Sequence, residues 1–157
     1  MRYYQKLSWQ GIKLLIRWQF PEIQQLSTQD LAAWLEKDKL KPLLLDARTE
    51  QEYQVSHLQD AQLASRKLKN LIDRREVNSA TPIVVYCSVG YRSAKIVRQL
   101  QSTGYSKAFN LSGSIFQWVN ENRLVYQENQ PVKMIHPYQK FWQYLICNQS
   151  ININFKP

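Results

Sequence analysis

The chain has 157 residues, which is enough for one domain with a substantial core. Its formal net charge of +9 makes nucleic acid the first partner to test, yet no helix-turn-helix, aromatic RNA-binding signature or zinc finger is visible, so we do not expect nucleic acid binding. Its two cysteines, Cys87 and Cys147, exclude a disulfide framework and a zinc pattern, and a reduced, cytoplasmic setting is the resulting expectation.

The first predicted element is a basic, amphipathic N-terminal extension, residues 1–22. Its basic residues alternate with aromatic and aliphatic ones, and no acid precedes Glu22. Charges interrupt the apolar run too often for a transmembrane helix, and the continuous apolar core of a secretory signal is absent. We expect a helix that packs its apolar side on the domain, or else a segment, residues 1–20, that lies on an anionic membrane surface or binds a partner.

Short apolar runs then alternate with helical patterns, which is typical of a parallel α/β sheet flanked by helices. The predicted strands are residues 23–26, 43–45, 83–86 and 108–111. Helices are predicted from a start pattern at 27–30 up to a break at 39–42, over 49–55, from Leu63 to near Asn78, from the residues after Ser93 to Gly104, and from Ile115 onward.

Cys87 closes the apolar run 82–87, and the turn that follows it leads into a helical pattern. A cysteine at this place lies where backbone N–H groups and the positive end of a helix converge. Gly90 lets the loop curl with its amides inward, and Arg92 adds a fixed positive charge. Both effects lower the pKa of a thiol, and the same amides can stabilise an anion. The alternative, an inert buried cysteine, is disfavoured by this loop.

Asp46 and Arg48 also follow a buried strand, at the end where α/β proteins place their active sites. We favour a structural role, because Thr49 and Glu52 form a capping-box pattern and the three charged side chains can pair locally to fix the turn. His57 is one of only two histidines, too few for a metal site, so neither a metal nor a cofactor is expected.

Three segments, in this order and at these spacings, resemble the rhodanese family of sulfurtransferases over about residues 23–120. They are Leu43–Arg48 followed by Glu52-Tyr53 and His57-Leu58, then Val84–Ser93, then Gly104-Tyr105 through Asn110–Trp118. The resemblance implies a rhodanese-like three-layer α/β fold over residues 23–124, with a twisted parallel sheet flanked by helices. It also implies an active-site loop from Cys87 to Arg92, and His57 matches a position where the family carries histidine.

The length of this loop separates two chemistries that share the appearance of the fold. Related phosphatases and arsenate reductases place five residues between the cysteine and the arginine, and often a histidine before the cysteine. Here four residues separate Cys87 from Arg92, and Tyr86 precedes the cysteine. The shorter loop is expected to fit a sulfur atom better than a phosphate group, so the resemblance favours a rhodanese-type sulfurtransferase.

The resemblance implies a two-step reaction with a covalent intermediate. Cys87 would take the outer sulfur of a small anionic donor such as thiosulfate and pass it, from a persulfide, to cyanide, a thiol or the cysteine of an acceptor protein. Arg92 would attract the donor, Tyr91 is a candidate for the cleft entrance, and Ser93 is well placed to cap the helix. The residues expected to surround the sulfur are Ser88, Val89, Gly90, Tyr91, Arg92 and Ser93.

The last segment, residues 125–157, is an aromatic C-terminal extension. It is expected to dock against the N-terminal segment or to form a recognition surface, and Cys147 is expected to be a thiol without a role in resolving the persulfide. The alternative to an enzyme is a non-catalytic module with this fold, recruited through its termini to a partner or a membrane surface. The positive charge fits attraction of an anionic donor or an acidic carrier protein, or a basic surface without a specific partner.

Overall fold

The computed structural model describes residues 3–37, 40–74 and 77–155. Its helices are α1 (Tyr3–Gln19), α2 (Thr28–Lys37), α3 (Glu50–Val55), α4 (Ala64–Arg74), α5 (Tyr91–Ser102) and α6 (Ser114–Asn120), with a 3-10 helix at Lys140–Leu145. Its strands are β1 (Gln25–Leu26), β2 (Leu43–Asp46), β3 (Gln62–Leu63), β4 (Ile83–Tyr86), β5 (Ala108–Leu111), β6 (Val125–Gln127), β7 (Gln130–Val132), β8 (Met134–Ile135) and β9 (Asn152–Ile153).

The central sheet has the strand order β1-β5-β4-β2-β3, and each strand is parallel to its neighbours. Every residue of β4 is buried, as expected for a β-branched and aromatic run that packs on both faces. The predicted α/β class, with a parallel sheet between helices, is therefore confirmed. Because β4 is the middle strand, its carboxyl end brings Cys87 to the centre of one edge of the sheet.

Two layers of helices cover the sheet, and alternate residues of β4 face opposite layers. Val84 and Tyr86 lie in the core cluster formed with α2 and α6. Ile83 and Val85 lie in the cluster formed with α5. This alternation explains why the residue before Cys87 does not share the environment of the cysteine.

Helix α1 joins these two clusters. Its buried Trp9 belongs to the α2 and α6 side, whereas its buried Ile16 belongs to the α5 side together with Phe20. One face of α1 therefore packs on the domain, which is the first of the alternatives expected for this segment. By contacting both layers, α1 crosses the edge of the sheet at which β4 ends.

The C-terminal segment also packs on the domain. Val125, Ile135 and Leu145 are buried in the same cluster as Trp9. The side-chain amide of Gln5 in α1 donates a hydrogen bond of 2.7 Å to the carbonyl of Tyr144. The two terminal segments thus dock against each other, one of the two arrangements expected from the sequence.

The predicted boundaries are wrong around the third helix. Leu63 lies in β3, which pairs with the end of β2, so α4 begins only at Ala64. The described part of α4 ends at Arg74, and residues 77–80 form a bend and a turn, so the helix does not reach Asn78. In the predicted break at 39–42, Lys39 lies outside the described residues.

Candidate active site

The backbone of the loop after β4 is held by the start of α6. The amides of Ile115 and Phe116 donate to the carbonyls of Cys87 and Ser88, each at 3.2 Å, and the Cys87 N–H donates to Ser114 Oγ at 3.1 Å. These bonds satisfy two carbonyls and one amide of the turn and fix it against α6. Sequence reasoning missed the contribution of Ser114, which is distant along the chain.

Two hydrogen-bond donors, the Gly90 amide and the Ser93 hydroxyl, lie next to the buried sulfur of Cys87. The Gly90 N–H donates to Sγ at 3.1 Å. The hydroxyl of Ser93 lies 3.6 Å from Sγ and 2.6 Å from Asn110 Oδ1, so its single hydrogen serves one of these acceptors at a time. Donors of this kind favour the thiolate over the thiol.

The pKa of Cys87 is lowered from its ordinary value. Burial is the largest influence and raises the pKa, but the positive charge of Arg92 and the hydrogen bonds from Ser93 and Gly90 together outweigh it. The sulfur is thus a buried thiol that ionises more readily than one in solution.

Gly90 provides the backbone geometry on which this arrangement depends. Its φ of 112° is in the left-handed region, which favours glycine, and Asn110 Nδ2 donates to its carbonyl at 3.1 Å. Because Gly90 already turns the chain, α5 begins at Tyr91. The predicted helix cap at Ser93 is therefore wrong: Ser93 lies inside the first turn of α5, with its hydroxyl directed to Asn110 and the sulfur.

The guanidinium of Arg92 is held by protein groups. It donates to both carboxylate oxygens of Glu52, at 2.8 and 2.7 Å, and to Ser88 Oγ at 2.9 Å, and it lies 4.3 Å from the centre of the Tyr138 ring. Its side chain is 27% exposed, whereas Glu52 is buried. The cation whose charge acts on the sulfur is therefore already paired with a carboxylate.

The position of Glu52 differs in part from the sequence expectation. It forms the predicted capping box with Thr49, but its carboxylate reaches across to Arg92. Burial raises the pKa of Glu52, yet the hydrogen bonds and charge of Arg92 prevail and hold it at about 2. This carboxylate consequently stays ionised and connects α3 to the Cys87 loop.

Asp46 and Arg48 form a separate ion pair. The guanidinium of Arg48 donates to both oxygens of Asp46 and, at 2.5 Å, to the carbonyl of Ser56, and both charged side chains are fully buried. His57 stacks on the ring of Tyr53, with the ring centres 4.0 Å apart. These contacts connect the end of β2 to the region after α3. A structural role for these side chains stays a prediction.

A cavity of about 270 Å³ opens above the sulfur, and both terminal segments help to form it. Its lining residues are Ile12, Leu15 and Ile16 from α1, Cys87, Ser88, Val89, Tyr91 and Arg92 from the loop, and Tyr138 and Trp142 from the C-terminal segment. We call this cavity the Cys87 cleft. Of the predicted site residues, Cys87, Ser88, Val89, Tyr91 and Arg92 line it. The predicted residues that do not line it are Gly90, Ser93, Asp46, Arg48, Glu52 and His57.

Sequence reasoning missed the residues of the N- and C-terminal segments that line the Cys87 cleft. Only their apolar and aromatic character was visible, and that character also fits ordinary packing.

A larger cavity, of about 480 Å³, lies between α2 and residues 122–126 and includes neither cysteine. Cys147 is not among the residues that line the Cys87 cleft, and burial raises the pKa of its thiol.

Residues 3–37, 40–74 and 77–155 lack two kinds of feature. No group of three or more histidine, cysteine, aspartate or glutamate side chains suited to holding a metal ion occurs there. None of the helices in these ranges has the length and apolar character needed to cross a membrane.

Comparisons with known proteins agree with this architecture. The probable adenylyltransferase/sulfurtransferase MoeZ of Mycobacterium tuberculosis is 31% identical over 100 residues, which is 61% of this chain and 24% of that protein. The tRNA uridine(34) hydroxylase of Protochlamydia amoebophila is 32% identical over 102 residues, which is 60% of this chain and 32% of that protein. The chain therefore spans about a quarter to a third of the length of these curated relatives.

Among solved structures, a thiosulfate sulfurtransferase from Pseudomonas aeruginosa has a similar fold. It superposes with a TM-score of 0.62 at 17% identity, covering 76% of this chain and 23% of that one. A family model, the rhodanese-like domain, matches residues 27–121, which contain the entire Cys87 loop and four strands of the parallel sheet, β2 to β5, whereas β1 lies just before the match. The chain therefore belongs to the rhodanese-like domain family, a family that includes sulfurtransferases.

Proposed function

We propose that this protein is a sulfurtransferase that carries a sulfane sulfur on Cys87 as a persulfide. The observation that carries the proposal is the position of the Cys87 sulfur, which lines a cleft, accepts the Gly90 N–H at 3.1 Å and has a lowered pKa. A nucleophile needs access to a substrate and a stabilised anionic form, and both are present at this sulfur.

In the first step, the Cys87 thiolate attacks the outer sulfur of a donor such as thiosulfate. A bond forms between Sγ and that sulfur, the S–S bond of the donor breaks, and sulfite leaves with the electron pair. In the second step, cyanide or a thiolate attacks the outer sulfur of the persulfide, and Cys87 leaves as a thiolate. The Gly90 amide and the Ser93 hydroxyl lie close enough to the sulfur to stabilise the negative charge that remains on it.

Phosphate ester hydrolysis is less well supported by the same site. A phosphate bound over the loop would need donors from the arginine, yet Arg92 directs hydrogen bonds to Glu52 and Ser88. The Glu52 carboxylate beside it would also repel a phosphate group. The short loop and this pairing together favour transfer of sulfur.

The experiment is mass spectrometry of the reduced protein after incubation with thiosulfate, followed by peptide mapping. We expect one added sulfur atom on the peptide that contains Cys87, and its removal by cyanide. The matched control is Cys147→Ser, which should retain the adduct, whereas Cys87→Ser should lose it and remain folded. An adduct that persists in Cys87→Ser would overturn the proposal, as would the absence of an adduct with every sulfane donor while Cys87 remains open to alkylation.

A second candidate function, recruitment to an anionic membrane surface, is favoured by the outer face of α1. Leu7, Leu14 and Trp18 recur at helical spacing on the side opposite the buried Trp9, and Trp18 is 79% exposed. Positive charges flank this face, and α1 contains no acid. An exposed apolar strip beside cations fits a helix that lies in the headgroup region of an anionic membrane.

Sedimentation with phosphatidylcholine vesicles, with and without phosphatidylserine, tests this recruitment. We expect binding to the anionic vesicles, loss of binding in Leu14→Ser and Trp18→Ser, and retention in the control Leu40→Ser, which removes an equally exposed leucine elsewhere. Wild-type protein that stays in the supernatant with both vesicles contradicts recruitment. So does a dimer that Trp18→Ser dissociates, since this face would then bind a second copy.

A further inference from the structure

The walls of the Cys87 cleft are mostly apolar, and much of their apolar surface comes from parts of the chain outside the family match. Three aliphatic side chains of α1, Ile12, Leu15 and Ile16, line it together with Tyr138 and Trp142 of the C-terminal segment. Apolar walls of this kind bind an apolar group by removing its surface from water. The terminal segments therefore give the sulfur an environment that a small inorganic donor does not need.

The polar groups of the cleft are poorly suited to a donor with two negative charges. Among the described residues that line the cleft, Arg92 is the one cation, and it is paired with Glu52 and covered by the Tyr138 ring. With Cys87 ionised, the charges of Arg92, Glu52 and Cys87 add up to a net negative charge. A dianion that enters must lose much of its hydration without gaining an unpaired cation, which is unfavourable.

The volume of the cleft permits a sizeable apolar group. Cavities of about 150 Å³ lined by aliphatic and aromatic side chains bind benzene. The Cys87 cleft, at about 270 Å³, has space for a ring or a short alkyl chain in addition to the reacting sulfur.

We infer that the Cys87 cleft selects organic sulfane donors, in which the transferred sulfur is attached to an apolar group, over inorganic thiosulfate. This inference rests on the proposed sulfur transfer and names its substrate class. For an organic thiosulfonate anion, R–SO₂–S⁻, the Cys87 thiolate forms a bond to the outer sulfur and the S–S bond breaks. The sulfinate R–SO₂⁻ leaves with the electron pair, and the persulfide anion remains on Cys87, so atoms and charge balance.

The test compares donors that share a reacting group and differ in the apolar part. Single-turnover rates of Cys87 persulfide formation are measured with thiosulfate, methanethiosulfonate and benzenethiosulfonate. Each rate is divided by that of the same donor with a small thiol in solution, which removes differences in intrinsic reactivity. We expect the normalised rate to rise from thiosulfate to methanethiosulfonate and, by about tenfold or more, to benzenethiosulfonate, the size expected from one buried apolar group.

Two adjacent leucines of α1 provide a matched pair of variants. Leu15 lines the cleft, whereas Leu14 does not, and they are 51% and 64% exposed, so neither truncation threatens the core. Leu15→Ala should reduce the preference for benzenethiosulfonate severalfold, and Trp142→Ala should reduce it further. Leu14→Ala should leave the preference unchanged.

The outcomes separate this inference from the proposed function. Equal normalised rates for the three donors, or equal preferences in Leu15→Ala and Leu14→Ala, would overturn the selection of organic donors while sulfur transfer stands. Failure of all three donors to place sulfur on Cys87, in folded protein with a reactive thiol, would instead overturn the proposed function.

Discussion

Two neighbouring strands, β2 and β4, end at the same edge of the sheet, and the polar side chains that follow them differ in their surroundings. After β2, the charges of Asp46 and Arg48 are fully buried and bind each other and the chain. After β4, the sulfur of Cys87 is buried but lines a cleft, and the charge of Arg92 beside it is partly exposed. Location at this edge does not by itself create a reactive site; a group becomes available when a cavity, rather than another protein group, lies next to it.

The largest expected effect is a loss of stability when Arg48, in the buried pair after β2, is replaced. Arg48→Met leaves Asp46 buried without its counter-charge, and we expect the free energy of unfolding to fall by about 3 to 5 kcal/mol. The alkylation rate of Cys87 in the folded protein should be unchanged, because Arg48 does not line the cleft. Urea denaturation and an alkylation assay measure the two effects, and the double variant Asp46→Leu with Arg48→Met should recover part of the loss. A loss below 1 kcal/mol would contradict the role assigned to this pair.

A smaller loss of stability is expected at Gly90. Gly90→Ala places a side chain at a φ of 112°, which costs about 1 to 2 kcal/mol, and its Cβ would lie 3.4 Å from the Ile16 side chain. The control is Gly11→Ala in α1, where a Cβ meets nothing within 4 Å and a helix gains up to about 1 kcal/mol. Thermal unfolding of both variants measures the difference, and similar melting temperatures would show that the loop tolerates a change of conformation.

Arg92→Met tests whether the charge after β4 acts on the Cys87 sulfur. Loss of the positive charge should raise the pKa of Cys87, and we expect its alkylation at neutral pH to slow by about tenfold, less than the removal of a dedicated oxyanion donor costs. The matched control is Lys95→Met, which removes an exposed cation from the same helix. The pH dependence of iodoacetamide alkylation measures the pKa. An unchanged profile in Arg92→Met would show that the charge of Arg92 does not act on the sulfur.

The smallest expected effect is that of Glu52→Gln on the pKa of Cys87. It keeps an acceptor for the Thr49 amide but removes the charge that Arg92 compensates, so the pKa of Cys87 should fall further.

The same variant has a defined pH dependence. Because the pKa of Glu52 is about 2, below the value of about 4.3 expected in the unfolded chain, its ionisation stabilises the fold above that unfolded value. This contribution is lost as the pH falls through the folded value. The difference in urea midpoint between wild type and Glu52→Gln should therefore shrink between about pH 4 and pH 2. A difference that stays constant over this range would contradict the low pKa.

Local patterns in the sequence predicted much of the framework. The capping box of Thr49 and Glu52 and the pair of Asp46 and Arg48 form between residues two or three positions apart, so their chemistry was legible in the chain. The misplaced start of the third helix has a different origin. Leu63 carries no local strand signal and pairs only because the end of β2 lies beside it.

The sequence by itself determined the strand, turn and helix around Cys87, because backbone preferences and hydrophobic periodicity act over short distances along the chain. Only the tertiary structure decided what surrounds the sulfur. Glu52 reaches Arg92 from another helix, Ser114 holds the Cys87 amide, and α1 and Trp142 close the cleft. These contacts join residues far apart in sequence, and they depend on packing that no local pattern encodes.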